Sequence, residues 1–325
     1  MLPLAFLLLT AAGQVPALPP RLSQTGFDPR PGSGLLAYSP QYPLWSDGAA
    51  KSRWLRLPSG GRIDDRDPGD WKFPVGTRFW KEFRFNGRKV ETRLLWRATA
   101  GRWVFASYRW RENQQEADLV PPEGLDGAAD LGGGLSHRIP SRADCEDCHV
   151  NRASPVLGFT ALQLSPDRDP LAPHAEPALA DLRVLEDRKL LDPPRPERLE
   201  HPPRIQAPTP RGRAALGYLA ANCGQCHNPE APIRGVTLIL AHRDGADPEP
   251  GWATTVARPS HFRLPGRGEG DSMLVRPGHP EDSTLVYRME SRHPAAQMPP
   301  LGTVLPDQDA LALIRAWIRD DLAAP

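Results

Sequence analysis

Alternating apolar and polar positions in the first third of the chain predict β-strands. Arg53 to Leu57 alternates in this way, and an aromatic-rich run from Phe79 to Phe85 is followed by Asn86-Gly87. Asn-Gly between two such runs favours a hairpin with a type I′ turn, because both central residues must adopt positive φ. Trp103 to Trp110 is predicted as the next strand. Short strands at this spacing indicate an antiparallel β-sandwich over residues 18–135.

Helical periodicity appears in the later part of the chain. Ser141, which follows a proline, is a candidate N-cap for a helix. Further helices are predicted over 178–191, 211–223 and 281–290, and a terminal helix begins after Pro306-Asp307. The apolar residues of that terminal helix fall at i, i+3, i+4 and i+7, at Ala310, Leu313, Ile314 and Trp317.

The four cysteines of the chain occur as two C-x-x-C-H motifs, made of Cys145, Cys148 and His149, and of Cys223, Cys226 and His227. This spacing is the attachment signature of c-type haem. The two thiols add to the haem vinyl groups as thioethers, and the histidine supplies an axial imidazole to iron. Zinc binding or C-x-x-C redox chemistry remains an alternative, since both use the same residue types. Two complete motifs favour two covalent haems.

The residues near each motif offer support for the proximal histidines. A backbone carbonyl that accepts a hydrogen bond from histidine Nδ1 fixes the tautomer and orientation of the imidazole. Pro155 after the first motif, and Pro229 or Pro232 after the second, are the candidates for that carbonyl. The same prolines could instead only shape turns.

A distal ligand for the second haem is sought among the methionines. Met298 lies in the non-helical sequence Gln297-Met298-Pro299-Pro300, where a thioether can be held against iron. Met289 falls in a predicted helix, where methionine usually fills a core, and Met273 is the other rival. Methionine is a weak donor that raises the reduction potential of haem iron.

The first haem has no such methionine, because none lies between His149 and Cys223. Histidine is therefore the expected distal ligand, and His174 in a proline-flanked loop is the leading candidate. His137 and His201 are the alternatives, and a five-coordinate iron is the remaining possibility.

Two resemblances extend this interpretation. Cys223 to His227, Met298 and the helix ending near Trp317 together resemble a class I cytochrome c domain over residues 206–325. The resemblance implies thioethers at Cys223 and Cys226, proximal His227 and distal Met298. The chain departs from the small cytochromes in the long separation, about 70 residues, between His227 and Met298. The whole chain is also similar to a poorly characterised group of exported dihaem proteins that carry the segment Tyr42-Pro43-Leu44-Trp45-Ser46-Asp47-Gly48.

The amino terminus and the overall charge indicate where the protein is located and which partners the sequence supports. Leu2 to Ala12 is apolar but too short to span a bilayer, and small residues follow it, so residues 1–17 are predicted to be a signal peptide. An uncleaved N-terminal anchor is the alternative, and both imply export, as to a bacterial periplasm. The balance of 40 Lys+Arg against 39 Asp+Glu gives no argument for nucleic acid or a membrane surface.

The sequence thus predicts a multidomain chain. The β-sandwich is followed by two mainly α-helical cytochrome c-type modules, an abbreviated first haem module over 136–205 and the class I domain over 206–325. The expected function is electron transfer through two haem c groups to unidentified redox partner proteins. One alternative is a dihaem peroxidase-like enzyme with the first haem as its reaction site. Another is a cytochrome carried to polysaccharide by a carbohydrate-binding β-domain, although aromatic residues in sheets more often pack than bind sugar.

Two covalent haems per chain are expected. Haem staining after denaturing electrophoresis should retain colour, and a pyridine haemochrome assay should count two haems. Replacing Cys223 and Cys226 together by Ala should leave one, and replacing Cys145 and Cys148 should leave the other. Removal of all haem from the wild type by acid-acetone would contradict covalent attachment.

Overall fold

The computed structural model describes residues 17–150, 155–230, 237–268 and 270–323. The predicted signal peptide therefore lies almost wholly outside the described residues. No helix in the described part of the chain is both long and apolar enough to cross a bilayer.

The strands are concentrated before residue 140, as the alternating pattern predicts. Their bounds are β1 Leu36–Tyr38, β2 Ala50–Arg56, β3 Ile63–Asp64, β4 Arg78–Phe85, β5 Arg88–Thr99, β6 Arg102–Trp110, β7 Ala117–Leu119, β8 Leu125–Gly132, β9 Leu135–Ile139 and β10 Leu191–Asp192. The helices are α1 Arg142–His149, α2 Leu182–Asp187, α3 Glu197–Glu200, α4 Pro210–Asn222, α5 Pro250–Thr255, α6 Thr284–Glu290 and α7 Gln308–Ala316. A short π-helical turn, Trp317–Asp321, follows α7.

Six strands form one antiparallel sheet in the order β1-β2-β4-β5-β6-β7. The predicted hairpin is present between β4 and β5, where Asn86 and Gly87 take φ values of 49° and 77°. The short edge strands are both engaged by other segments: the Ala180 N–H donates to the Ala37 carbonyl at 3.1 Å, and the Leu119 N–H donates to the Pro20 carbonyl at 3.0 Å.

The two faces of this sheet are covered by different material. Trp54, Trp80 and other residues of one face pack against Leu22 and Phe27 of the N-terminal segment. Leu55 and Phe79 of the other face pack against Phe159, Leu164, Leu182 and Leu185. The N-terminal antiparallel sheet is confirmed, but its second layer is not a sheet of comparable size. Leucines of the proline-broken segment after the first motif provide that layer instead.

The tryptophans of this region are packed in the protein interior or partly buried at its edge. Seven of the nine in the chain lie between Trp45 and Trp110. Trp71 and Trp80 are fully buried, Trp54 is 9% exposed, and the other four are partly buried. Since none of the seven is an exposed side chain, the aromatic residues are better explained as core than as an open sugar-binding face.

Several predicted helices are confirmed, with altered lengths. The helix predicted over 178–191 shortens to α2, because the Asp181 side chain accepts from the Val184 N–H as an N-cap and Lys189 takes a φ of 54°. The helix predicted over 281–290 begins at Thr284, after a 3-10 turn. The terminal helix is confirmed as α7, capped by Asp307. β9 crosses the predicted domain boundary at residue 135.

A third core joins the N-terminal segment to the C-terminal helices. Tyr42 packs among residues of α4, α6 and α7, and its hydroxyl donates to Asp169 at 2.9 Å. Its ring lies directly on the backbone of Gly217 in α4, where an added Cβ would stand 2.2 Å from a ring carbon. Glycine is required here by this close approach.

Gly217→Ala is therefore expected to destabilise the protein by at least about 1–3 kcal/mol, the usual cost of overpacking. An unhindered Gly→Ala change in a helix would instead stabilise it by about 0.4–1 kcal/mol. Denaturant unfolding measures the difference. Gly101→Ala is the control, because nothing lies within 4 Å of its added Cβ. Wild-type stability in Gly217→Ala would contradict the contact with Tyr42.

Candidate functional site

The first C-x-x-C-H motif lies on α1, which stands beside β6. Ser141 caps the helix: its Oγ accepts from the Asp144 N–H at 3.1 Å, and the Asp144 carboxylate accepts from the Ser141 N–H at 2.9 Å. This reciprocal pair satisfies two backbone donors at the helix start. Cys145 and Cys148 are three residues apart on the helix and therefore share a face.

His149, the predicted proximal ligand of the first motif, contacts the carbonyl of Pro155, one of the two roles that the sequence left open for this proline. His149 Nδ1 and the Pro155 carbonyl are 2.5 Å apart, and the His149 ring centroid is 5.3 Å from that of Phe105 on β6. Such a bond fixes the imidazole with Nε2 as the metal-binding nitrogen.

The second motif follows the end of α4. The His227 N–H donates to the Cys223 carbonyl at 2.9 Å, and the His227 carbonyl accepts from the N–H groups of Leu240 and Ala241. Burial, followed by the charge of Arg288, lowers the pKa of His227, and the backbone of Leu238 lies beside its ring. His227 Nδ1 is nevertheless buried without a hydrogen-bond partner among the described residues, so the carbonyl support expected from Pro229 is not found; Pro232 lies outside the described residues.

The two motifs meet. The side chains of Cys148 and Cys226 lie close enough to interact, and this interaction raises the pKa of Cys148 and lowers that of Cys226. Burial raises the pKa of Cys223 to about 12. Sequence analysis gave no indication of this contact, because 77 positions separate the two residues.

A cavity in the C-terminal module brings Cys223 and Met298 together. Met289 of α6 lines the same cavity, whereas Met273 does not reach it. The Met298 N–H donates to the Arg288 carbonyl at 2.8 Å, which ties its loop to α6. The other lining residues include Leu44, Trp45, Tyr218, Arg292, Thr303, Leu305 and Asp307.

The wall of this cavity comes partly from the segment Tyr42 to Gly48. The Trp45 N–H donates to Asn222 Oδ1 at 2.7 Å, and its indole N–H donates to the Leu305 carbonyl at 2.9 Å. Sequence reasoning noted this segment without assigning it to the site. Its density of aromatic, acidic and proline residues was the signal that could have drawn attention to it.

His174 lies beside the same C-terminal cavity. Its Nε2 is 2.8 Å from Asp307 Oδ1, and its ring centroid is 4.9 Å from that of Trp45. Asp307 and Trp45 both line the cavity that contains Met298. In this arrangement Nε2 is engaged by a carboxylate, so iron ligation by His174 would require that bond to break.

The alternative histidines differ in setting. His137 is buried, with Nε2 2.9 Å from Glu91 Oε1 and Nδ1 3.8 Å from Asp47 Oδ2. Burial opposes its positive charge, but the neighbouring carboxylates of Asp47 and Glu91 raise the pKa of His137. Glu91 also receives two hydrogen bonds from Arg93. His201 is exposed at the end of α3.

One side chain of the C-terminal cavity would suit an anionic group. Arg292 lines the C-terminal cavity, and its buried Nε and Nη1 have no hydrogen-bond partner among the described residues. A carboxylate bound in the cavity would satisfy them. No group of three or more His, Cys, Asp or Glu side chains in the described ranges is arranged to hold a metal ion. The four cysteines therefore do not converge into a tetrahedral zinc site.

The chain matches no protein-family model, no curated protein and no solved structure at a significant level.

His137→Gln is expected to remove a pH-dependent part of the stability. The raised pKa of His137 means that its bonds to Asp47 and Glu91 stabilise the fold fully below about pH 6.5. That stabilisation is lost as the pH rises through the raised value. At pH 6 the variant should lose about 1–3 kcal/mol, the cost of unmet buried partners. As the pH rises above 6.5, the free energy of unfolding measured with denaturant should fall less in the variant than in the wild type.

The exposed His261 provides the control, and His261→Gln should follow the wild-type pH curve. Glu91, whose pKa is lowered to about 2 against its burial by the charge of Arg93 and the bond to His137, adds an acid limit. Its contribution is complete above about pH 4.5 and lost as the pH falls towards 2. If the free energy of unfolding changed with pH in the same way in wild type and His137→Gln, the pairing of charged His137 with Glu91 would be contradicted.

Proposed function

We propose that this protein is an exported dihaem c-type cytochrome that transfers electrons. The observation that carries the proposal is the contact between the two C-x-x-C-H motifs at Cys148 and Cys226. Groups attached to these neighbouring sulfurs would be adjacent, as an electron-transfer pair requires. The covalently bound haem would supply one-electron iron chemistry, while the chain supplies attachment, ligation and dielectric.

The proximal side is assigned to the two motif histidines. The Pro155 carbonyl holds His149 in a single tautomer, and the backbone around Leu238 to Ala241 holds the peptide of His227. Rigid backbone partners of this kind limit the movement of a ligand when the charge on its metal changes. Little reorganisation favours electron transfer over ligand exchange.

The distal side of the second site is assigned to Met298. Its shared cavity with Cys223 supports this choice over Met273, and its fixed loop supports it over Met289. Met289 is 7% exposed and belongs to the core formed by α4, α6 and α7, where it fills space. Leu44 and Trp45 help to exclude water from the cavity.

The distal position of the first haem remains assigned to a nitrogen ligand or to no ligand. His174 stays the predicted distal ligand of the first haem, although it lies beside the cavity of Met298 and its bond to Asp307 competes with that role. His137 is less suited to the role, because both of its ring nitrogens face carboxylates.

Met298→Ala tests the ligation scheme. The wild-type ferric protein should show the weak near-infrared charge-transfer band of methionine-ligated haem, and the variant should lose it while keeping two covalent haems. In a redox titration the methionine-ligated haem should be reduced first, because thioether ligation raises its potential. Met273→Ala is the control and should keep the band. Retention of the band in Met298→Ala would contradict the assignment.

The wild-type reaction with peroxide tests electron transfer itself. We expect two low-spin haems. They should be reoxidised by a small one-electron acceptor and react slowly with peroxide. His174→Ala should leave the near-infrared band intact and convert the other haem to high spin. A wild-type high-spin haem that reacts rapidly with peroxide would replace this proposal with a peroxidase-like enzyme.

A further inference from the structure

A row of basic side chains crosses one face of the six-stranded sheet. The register places Arg53 of β2 opposite Lys81 of β4, and Lys81 opposite Arg93 of β5. Lys51 lies two residues before Arg53 and therefore on the same face. Like charges directly opposite each other on a sheet destabilise it. We call these four residues the cation row.

The anions around the cation row do not match its charge. Arg53 Nη1 is 2.5 Å from Glu176, and Arg93 Nη2 is 2.6 Å from Glu91. Lys81 forms no ion pair with a carboxylate of the described residues; its ammonium lies 4.9 Å from the Phe83 ring.

Arg53 provides a second, independent sign of a missing anion. Its side chain is only 4% exposed, yet Nη2 is buried without a hydrogen-bond partner among the described residues. A buried guanidinium with an unmet donor costs free energy that a bound carboxylate would recover. Arginine presents its donors as a planar fork that fits a carboxylate.

The cation row is enclosed by protein. Burial, followed by the neighbouring charge of Arg53, lowers the pKa of Lys51 to about 8 and that of Lys81 well below its usual range. Both lysines are nevertheless partly accessible to solvent. Both lysine side chains therefore keep some contact with solvent, from which a carboxylate could reach them.

The cation row begins at the first haem-attachment motif. Burial raises the pKa of Cys145, and the nearby charge of Arg93 acts on it most strongly in the opposite direction. Arg93 in turn is influenced by both Cys145 and Cys148. The far side of the row, at Lys51, is close enough to Asp307 to sense its charge.

We propose that Arg53 and Lys81 bind the propionate carboxylates of the haem attached at Cys145 and Cys148. The inference rests on the proposed function and assigns these two residues to it. Haem carries two carboxylates on the edge away from its vinyl groups, so a basic site at some distance from the thioether sulfurs suits its shape. A bound carboxylate would favour the charged form of Lys81 against its burial, and it would satisfy the unmet Nη2 of Arg53.

The test is a redox titration of the holoprotein with Lys81→Gln. Loss of a positive charge near the first haem should disfavour its reduction and lower its midpoint potential. A fall of up to about tenfold in the equilibrium constant corresponds to about 59 mV for a one-electron couple. The potential falls with pH as the propionate ionises. This pH range should move upwards in the variant, because the pKa of a propionate rises when its cation is removed. Lys81→Arg should restore both properties.

Lys89→Gln is the matched control. Lys89 belongs to the same sheet, but its ammonium lies 3.4 Å from the ring of Trp110, which packs on the opposite face. This variant should leave both potentials and their pH dependence unchanged. Lys51→Gln, at the far end of the cation row, provides a second charge-removing variant if Lys81→Gln does not fold, and it should lower the same potential by less.

Pyridine haemochrome counts separate the outcomes. The inference is supported if Lys81→Gln binds two haems and only the haem without the methionine charge-transfer band has a lowered potential. Two haems with unchanged potentials in Lys81→Gln, or in Lys51→Gln where only that variant folds, overturn it and leave the proposed function intact. A shift confined to the methionine-ligated haem overturns the assignment to the first haem. A wild type without covalent haem overturns both proposals.

Discussion

The carboxylate of Asp47 is the interaction on which the arrangement of this protein depends. Its Oδ1 accepts hydrogen bonds from the Thr303 hydroxyl and from the N–H groups of Val304 and Leu305, at 2.7–2.9 Å. Its Oδ2 faces His137, which joins it to Glu91 in the sheet. One buried side chain thus ties the loop after Met298 to the strands beside the first motif. Three donors would lose their partner without it, so its loss would separate the two halves of the candidate site.

Local sequence patterns were sufficient for the elements but not for their assembly. Asn86-Gly87 specified its hairpin because positive φ at both residues leaves few other conformations, and Asp307 specified the start of α7 through a capping bond. The β-sandwich was less well predicted, because alternation shows that a strand has a buried face without showing what buries it. Here the covering layer includes Phe159 and Leu185, which lie far along the chain from the strands that they cover.

The candidate site was predictable where chemistry is encoded in adjacent residues. Two C-x-x-C-H motifs and the Pro155 carbonyl could be identified from spacing alone. The contact between Cys148 and Cys226, the engagement of His174 by Asp307 and the cation row could not, because each depends on strand register or on packing between distant segments. Arg53, Lys81 and Arg93 are ordinary basic residues in the sequence, and only their register makes them neighbours.

The two edges of the main sheet carry a consequence for recognition. β1 and β7 are three residues long, and each is already bonded to another segment, at Ala180 and at Pro20. Such edges offer little backbone to which an extended peptide could add as a further strand. A protein that docks at these two edges would therefore have to recognise side chains. At these edges, the shape and charge of the surface would decide recognition more than backbone pairing.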